Sequence, residues 1–342
     1  MRVFVYEYTC ATAGAEEPLA QALRAEGRAM LSAVLEDLNR VPGVETTTLR
    51  RLDHANEERP AFHELAAAAD ATLVIAPEFD GLLAERCRWV VQAGGRLLGP
   101  PPSAVELAAD KLLLGEVLLR HGVPTPPCWR AEDAVLAQAL AFPAVLKPRD
   151  GAGSQATCVV RTRAGLAVGL ERMRAERARA AFLLQPLVRG LPASVAFLLG
   201  PGQRIALAPA EQHLTDDGRF RYQGGTVPLP PELARRAVEL GRRAVQAVPE
   251  LCGYVGVDLI LGAAADGGAD QVIEINPRLT TSYLGLRALA HDNLAAALLG
   301  VLVGEPAADP SWRPGPVRFR ADGTLVPGPE CGLQGSAAES FL

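Results

Sequence analysis

The chain has 342 residues, of which 49% are apolar and 5% aromatic, and its formal net charge is -5. That length suits two or three packed lobes with a sizeable core built mainly of Ala, Leu and Val. The acidic balance argues against a nucleic-acid binder, which shows a basic surplus or stripe.

In chain order, residues 3–8 read as a strand that follows Met1 directly, without the shape of a signal peptide. Residues 17–39 read as a helix, with Leu19, Leu23, Met30, Leu31 and Leu35 near helical spacing. A second strand is expected over 46–50 and a buried one over 71–76, then a helix over 80–93 and a return to the sheet at 96–98. Such alternation predicts a parallel, doubly wound unit, whose ligands sit beyond the carboxyl ends of the strands, at 7–14 and 77–81. Pro100-Pro101-Pro102 marks a boundary. Ser103 and Glu106 form a capping box for one helix running through Asp110 and Lys111 to Arg120. Strands over 144–147, 156–160 and 182–185 with a helix over 164–179 form a small α+β lobe. Strands over 194–199, 204–212, 256–261 and 271–275, with helices over 231–248 and 282–302, form a second lobe. From Gly304 the composition predicts a tail of low order. The expected division is a preliminary α/β domain at 1–100, a small lobe with its linker helix at 101–188, a C-terminal lobe at 189–303 and the tail at 304–342. The six cysteines, Cys10, Cys87, Cys128, Cys158, Cys252 and Cys331, show no CxxC spacing and read as reduced thiols. The apolar segment 293–303 is too short to span a bilayer, so a cytoplasmic protein is expected.

The strongest chemical signal is Asp258 on one apolar strand followed by Glu274-Ile275-Asn276-Pro277-Arg278 on another. Strand side chains alternate, so Glu274 and Asn276 share a face, and Asp258 across a hairpin completes a set of hard oxygens suited to Mg²⁺. Arg278 on the same side would steady a transferring phosphoryl group or an oxyanion. A second signal is a strand ending in Lys147 and passing into Gly151-Ala152-Gly153-Ser154, where glycines let backbone N–H groups approach phosphate oxygens. The spacing is not that of a P-loop. Lys111 stands at the boundary just before this unit. The five histidines show no metal spacing.

The order Lys111, Lys147 with its Gly-rich loop, Gln185-Pro186-Leu187-Val188, Asp258, then Glu274 to Arg278 resembles the ATP-grasp superfamily over roughly residues 100–300. The resemblance implies an ATP-grasp fold of α/β and α+β parts: an N-terminal doubly wound preliminary domain and two lobes that clamp a nucleotide. It implies that Lys111, Lys147, Gly151, Gly153 and Ser154 contact ATP phosphates, and that Gln185, Pro186, Leu187 and Val188 form the hinge holding adenine. It also implies that Asp258, Glu274 and Asn276 bind Mg²⁺ or Mn²⁺, with Lys147 and Arg278 acting in catalysis. Pro186 and Ala193 stand where many members carry acids, which leaves the ribose contacts open. Residues 276–283, 75–78 and 222–225 are similar to the tyramine–glutamate ligase branch of methanofuran biosynthesis. That similarity implies amide formation through an acyl phosphate, joining the glutamate side chain to a small aromatic amine. Glu7, Glu78, Tyr222, Thr280, Thr281 and Ser282 are the expected substrate contacts. Small-molecule amino acid and amine partners are expected, without nucleic acid or membrane, and a homodimer is allowed. Alternatives are another amino-acid or peptide ligase, a carboxylase-type subunit using bicarbonate, and a non-catalytic nucleotide-binding regulator.

Overall fold

The computed structural model describes residues 1–12, 18–133, 140–305 and 308–326. Residues 13–17, 134–139, 306–307 and 327–342, with Cys331 and the last part of the expected tail, lie outside the described residues.

The first layer is built from β1 (Arg2–Glu7), the short α1 (Tyr8–Ala11), α2 (Pro18–Asn39), β2 (Glu45–Thr48), α3 (Glu58–Ala68), β3 (Ala71–Ile75) and α4 (Leu82–Gln92). The strands pair in parallel in the order β2-β1-β3, and Thr72 bridges to Leu97 beyond. Alternation along β1 divides the packing. Val3 and Val5 join Met30, Leu31 and Val34 of α2, while Phe4 and Tyr6 join Phe62 of α3 and Trp89 of α4. Phe62 is fully buried and meets Tyr6, Phe4 and Trp89 edge-on at 4.9, 5.3 and 5.4 Å. The doubly wound expectation is thus met, with α3 as an additional helix that the chain-order reading does not contain.

The linker corrects the capping-box expectation. Two helices stand there, α5 (Pro102–Ala109) and α6 (Lys111–Arg120). Pro101 occupies the first N-cap without a side-chain bond, Ser103 bonds to Glu250, and Glu106 pairs with Arg88. Asp110 breaks the run because its carboxylate accepts from Leu112 N and Leu113 N, capping α6.

The small lobe holds β4 (Trp129–Arg130), β5 (Ala144–Pro148), β6 (Cys158–Val160), α7 (Leu166–Glu176) and β7 (Phe182–Pro186), with strand order β4-β7-β5-β6. Next come β8 (Leu191–Gly200), β9 (Gln203–Ala206), β10 (Ala210–Leu214), β11 (Tyr222–Val227), α8 (Pro231–Ala247), β12 (Gly253–Leu261), β13 (Gln271–Asn276), α9 (Ser282–Leu289), α10 (Leu294–Val303), β14 (Val317–Arg320) and β15 (Leu325–Val326). Their sheet runs β13-β12-β8-β10-β11-β14-β15, with β9 beside β8. Val255, Val257, Leu259 and Leu261 of β12 pack on α8. Tyr254, on the other face, joins the core made with α9, α10 and α2.

Further expectations change. The strand expected over 204–212 is two strands, and the helix expected over 282–302 divides where Asn293 caps α10 by accepting from Ala295 N and Ala296 N. Tyr222, an expected substrate contact, opens the strand β11. The tail of low order is corrected for 317–326, since β14 pairs with β11 and β15 with β14. Gly224 makes that pairing possible: its φ is +135°, and a Cβ there would come within 2.0 Å of Phe319 O. Among the described residues no helix is long and apolar enough to cross a membrane.

Candidate active site

The hairpin β12–β13 sets Asp258 directly opposite Glu274 and Gly256 opposite Asn276. On its other side Asp258 faces Ser194 of β8. Because alternate residues of β12 are committed to the α8 core, Asp258 is forced onto the opposite face. There it accepts from Gln212 Nε2 at 2.8 Å and from Asn276 Nδ2 at 3.0 Å. Burial, with the Glu274 charge next in weight, pushes the Asp258 carboxyl well above the usual range. For Glu274 burial works in the same upward direction, but the Lys111 and Lys147 charges outweigh it and hold this carboxyl low.

Lys111 opens α6 and reaches Glu274 Oε2 at 3.4 Å while donating to Gly151 O at 2.9 Å. Lys147 projects from β5 opposite to Ala144 and Leu146, which fill the small-lobe core. It is 7% exposed and has no hydrogen-bond or ion-pair partner among the described residues. Burial, then the neighbouring Lys111 charge, lower its pKa from 10.5 to about 8. Two ammonium groups and two carboxylates are therefore gathered where β5, α6 and the β12–β13 hairpin meet.

The Gly-rich turn after β5 runs through the left-handed region, with φ +63° at Gly153, 56° at Ser154 and 47° at Ala156. Ser154 and Ala156 carry strain there, since only glycine adopts that region freely. Ser154 Oγ donates to Phe220 O at 2.8 Å. The turn is tied to the first layer: Asp80 N donates to Asp150 Oδ2 at 2.8 Å, and Arg177 donates to Asp150 O at 2.8 Å and to Asp80 Oδ1 at 2.9 Å. Neither Arg177 nor Asp150 is among the expected site residues, because the tie depends on a turn 70 residues away.

At the hinge, Gln185 lies in the β5–β7 ladder opposite Val145, and its side-chain amide faces Pro126 O at 3.5 Å. Leu187 N donates to Pro143 O at 2.9 Å, and Pro186 has no N–H, so Val188 is the hinge residue whose N–H is uncommitted among the described residues. Cys128, expected only as a reduced thiol, borders this region; burial pushes its thiol up, opposed by the Lys147 charge and a Gln185 hydrogen bond.

Beyond β13, Arg278 is not aimed freely at the hairpin acids. Glu78 holds it through Nε at 2.8 Å and Nη2 at 3.0 Å, and Nη1 donates to Leu279 O at 3.2 Å. Two of the five guanidinium N–H groups remain for a further acceptor. Glu78, an expected substrate contact, is 4% exposed and serves as the Arg278 counterion. Glu7 is likewise engaged, capping α1 by accepting from Cys10 N at 2.7 Å and Thr9 Oγ1 at 2.8 Å. Its carboxyl is raised by burial.

Thr280, Thr281 and Ser282 do gather beside the hairpin. Gly256 lacks a Cβ where one would meet Thr280 Cγ2 at 2.7 Å, so Thr280 lies directly over β12 two residues from Asp258. Thr280 Oγ1 and Ser282 Oγ are 2.8 Å apart and both meet Tyr254 Oη, at 3.3 and 3.2 Å. Tyr222 projects from β11 into the same region, where burial and the Asp258 and Glu26 charges push its hydroxyl pKa up.

Comparison with known proteins agrees with this geometry. A model of the ATP-grasp domain matches residues 108–282, more than half of the chain, and a model of the pre ATP-grasp 3 domain matches 29–105. Tyramine–L-glutamate ligase of Methanocaldococcus fervens is 26% identical over 218 residues, which is 64% of this chain and 62% of that protein. The Methanocaldococcus jannaschii ligase of the same name is 25% identical, over 64% of this chain and 58% of its own. The carbamoyl phosphate synthase large chain of Thermus thermophilus is 29% identical over 55% of this chain and 19% of its own. The matches thus span less than two thirds of each of these relatives. Among solved structures, an Archaeoglobus fulgidus protein of the ATP-grasp superfamily superposes with a TM-score of 0.69 at 24% identity, covering 93% of this chain and 92% of that one. Campylobacter jejuni biotin carboxylase gives 0.67 at 18%, covering 92% and 74%. The shared fold and the family match over the residues that build the lysine–carboxylate cluster agree: the chain belongs to the ATP-grasp family.

Proposed function

We propose that the protein is an ATP-dependent carboxylate–amine ligase that forms an amide through an acyl phosphate. The observation that carries this reading is the unpartnered, buried Lys147 ammonium held beside Lys111 and facing the Asp258–Glu274 pair. Two like charges in a dry place call for an anion, and a polyphosphate supplies one. The facing carboxylates, with the Asn276 amide oxygen left open by its Nδ2 bond to Asp258, suit a divalent cation with oxygen preference, Mg²⁺ or Mn²⁺. When bound, that cation would neutralise charge on the phosphates during transfer.

In this reading Lys111, Lys147 and the backbone of Gly151, Gly153 and Ser154 hold the phosphates. Gln185, Pro186, Leu187 and Val188 border adenine, with the Val188 N–H as hinge donor. The two spare N–H groups of Arg278 face the carboxylate as it takes the γ-phosphoryl group, and the rigid Glu78 clamp keeps them in place. Thr280, Thr281 and Ser282 offer hydroxyls and helix-start N–H groups to a substrate carboxylate. An amine then attacks the acyl carbon and phosphate leaves. The similarity to tyramine–L-glutamate ligases favours the glutamate side chain as acyl donor and a small aromatic amine such as tyramine as acceptor.

The test is ADP release and product mass with ATP, Mg²⁺, glutamate and a panel of amines, with hydroxylamine as a trap for the acyl phosphate. An amide or hydroxamate of glutamate is expected. Hydroxamate from other acids alone would overturn the glutamate reading, and no carboxylate-dependent ADP release would overturn the ligase reading.

A further inference from the structure

Most buried acids among the described residues are matched to guanidinium groups, Glu7 excepted, which accepts two bonds, from Cys10 N and Thr9 Oγ1. Glu58 is bonded to Arg86 at 3.0 Å, Asp37 to Arg287 at 2.7 Å, Asp270 to Arg236 at 2.9 Å, and Glu78 to Arg278 at 2.8 Å. Glu26 of α2 is half-buried and has neither an arginine nor two donors. Its Oε2 accepts a single bond, from Thr281 Oγ1 at 3.2 Å, and its Oε1 has no partner among the described residues. The Arg278 charge reaches it, but that guanidinium is bonded to Glu78. Desolvation is strong enough to raise the Glu26 carboxyl from 4.5 to about 7. A second group nearby is in the same condition: the Tyr222 hydroxyl is desolvated, feels the Glu26 and Asp258 charges, and finds no hydrogen-bond partner among the described residues.

The position of these two groups sets their chemistry. Thr281, which holds Glu26, is the residue after Thr280, and Thr280 lies over Gly256 beside Asp258. A carboxylate oxygen held beside Thr281 therefore borders the cluster where the acyl group would be activated, and the Tyr222 side chain packs from β11 against the core that carries Tyr254 and Tyr283. A desolvated carboxylate without a bonded cation is costly unless a cation completes it, and a primary ammonium group does so with directed N–H bonds.

We propose that Glu26, assisted by the Tyr222 hydroxyl, is the seat of a substrate's primary ammonium group. The proposal rests on the ligase reading for the presence of such a group. Both substrates of that reading carry one, on the amine nucleophile and on the α-carbon of an amino-acid acyl donor.

The experiment is calorimetric titration of the full chain with MgADP, comparing tyramine with its neutral alcohol isostere tyrosol, and glutamate with glutarate. Wild type should prefer the ammonium member of one pair. Glu26→Gln should weaken that ligand at least about tenfold, as expected for loss of a charge-assisted hydrogen bond, and leave its neutral partner unchanged. Glu26→Asp should recover part of the loss, and Tyr222→Phe should cost less than Glu26→Gln. Loss confined to tyramine would place the nucleophile at Glu26, and loss confined to glutamate would place the α-ammonium there. Unchanged affinities in Glu26→Gln, or no binding of any of the four ligands by wild type, would overturn the proposal. The hydroxylamine trap separates the two readings: absence of hydroxamate sinks the ligase, whereas the titration alone decides Glu26.

Discussion

Replacing Lys147 by Met tests the candidate site through two effects of opposite sign. At neutral pH the free protein keeps a charged lysine in a place that lowers its pKa from 10.5 to about 8. At ~1.4 kcal/mol per pKa unit, the folded state bears a cost of about 3 kcal/mol for that charge below pH 8. The cost is relieved as pH rises from about 8 to 10.5, where the unfolded chain holds the proton and the folded one does not. Methionine fills similar space without the charge, so the variant should unfold at higher urea concentration than wild type at pH 7, and the difference should shrink towards pH 10. Phosphate binding should move the other way. Loss of a charge-assisted bond is worth about 1.5–3 kcal/mol, so ATP affinity should fall roughly tenfold to a hundredfold while adenosine affinity holds. In wild type, ATP affinity should also decline as pH rises through about 8, and this decline should be weaker in the variant. Urea titration and competition binding with ATP and adenosine measure both effects. A less stable Met variant with equal losses for ATP and adenosine would refute the reasoning and make Lys147 a residue of the fold.

Glu274→Gln should lose turnover by far more than ATP affinity, and chelator should abolish wild-type ADP release; near-normal turnover in the variant would remove Glu274 from the metal set. Glu78→Gln leaves the buried Arg278 charge without its counterion, which typically costs about 3–5 kcal/mol, so its urea midpoint should drop clearly, and an unchanged midpoint would show that the pair contributes little. Gly224→Ala puts a methyl group against Phe319 O and should loosen β14 from β11, seen as faster amide exchange over residues 317–320; wild-type protection there would contradict the close approach.

The site-bearing hairpin is readable in the sequence because two periodic signals coincide. Val255, Val257, Leu259 and Leu261 commit one face of β12 to the core, which leaves Asp258 on the other, and Glu274 and Asn276 share a side by the same alternation. The strand-end placement of Glu7 and Glu78 is equally local. Their partners are not: Arg278 lies 200 residues from Glu78, and no periodicity announces that pair. Helix α3 is hard to read because Pro60 and a run of small alanines blunt its apolar stripe, although Phe62 is fully buried. The breaks at Asp110 and Asn293 carry ordinary N-cap residues, but each stands next to a strongly apolar run that hides the boundary. β14 alternates as Val317-Arg318-Phe319-Arg320, yet in a stretch rich in proline and charge one apolar anchor, Phe319, is a weak signal without sight of β11.

The pattern of charge pairing separates scaffold from site more sharply than burial does. Arg86, Arg236 and Arg287 each close on carboxylates that join distant parts of the chain, so removing either partner leaves a buried charge and no new chemistry. Around the hairpin the pairing stays incomplete in both signs. Lys147 has no anion of its own, Asp258 has only amide donors, and Glu26 has only a hydroxyl. Incomplete pairing costs stability in the empty protein, and selection for stability alone would remove it. Its concentration where the first layer and the two lobes meet, with unpaired charges of both signs side by side, is what a site for a polyphosphate, a divalent cation and an ammonium group requires. Each ligand then binds by completing a pair that the folded chain leaves open, so charged ligands should stabilise the fold far more than their neutral analogues do.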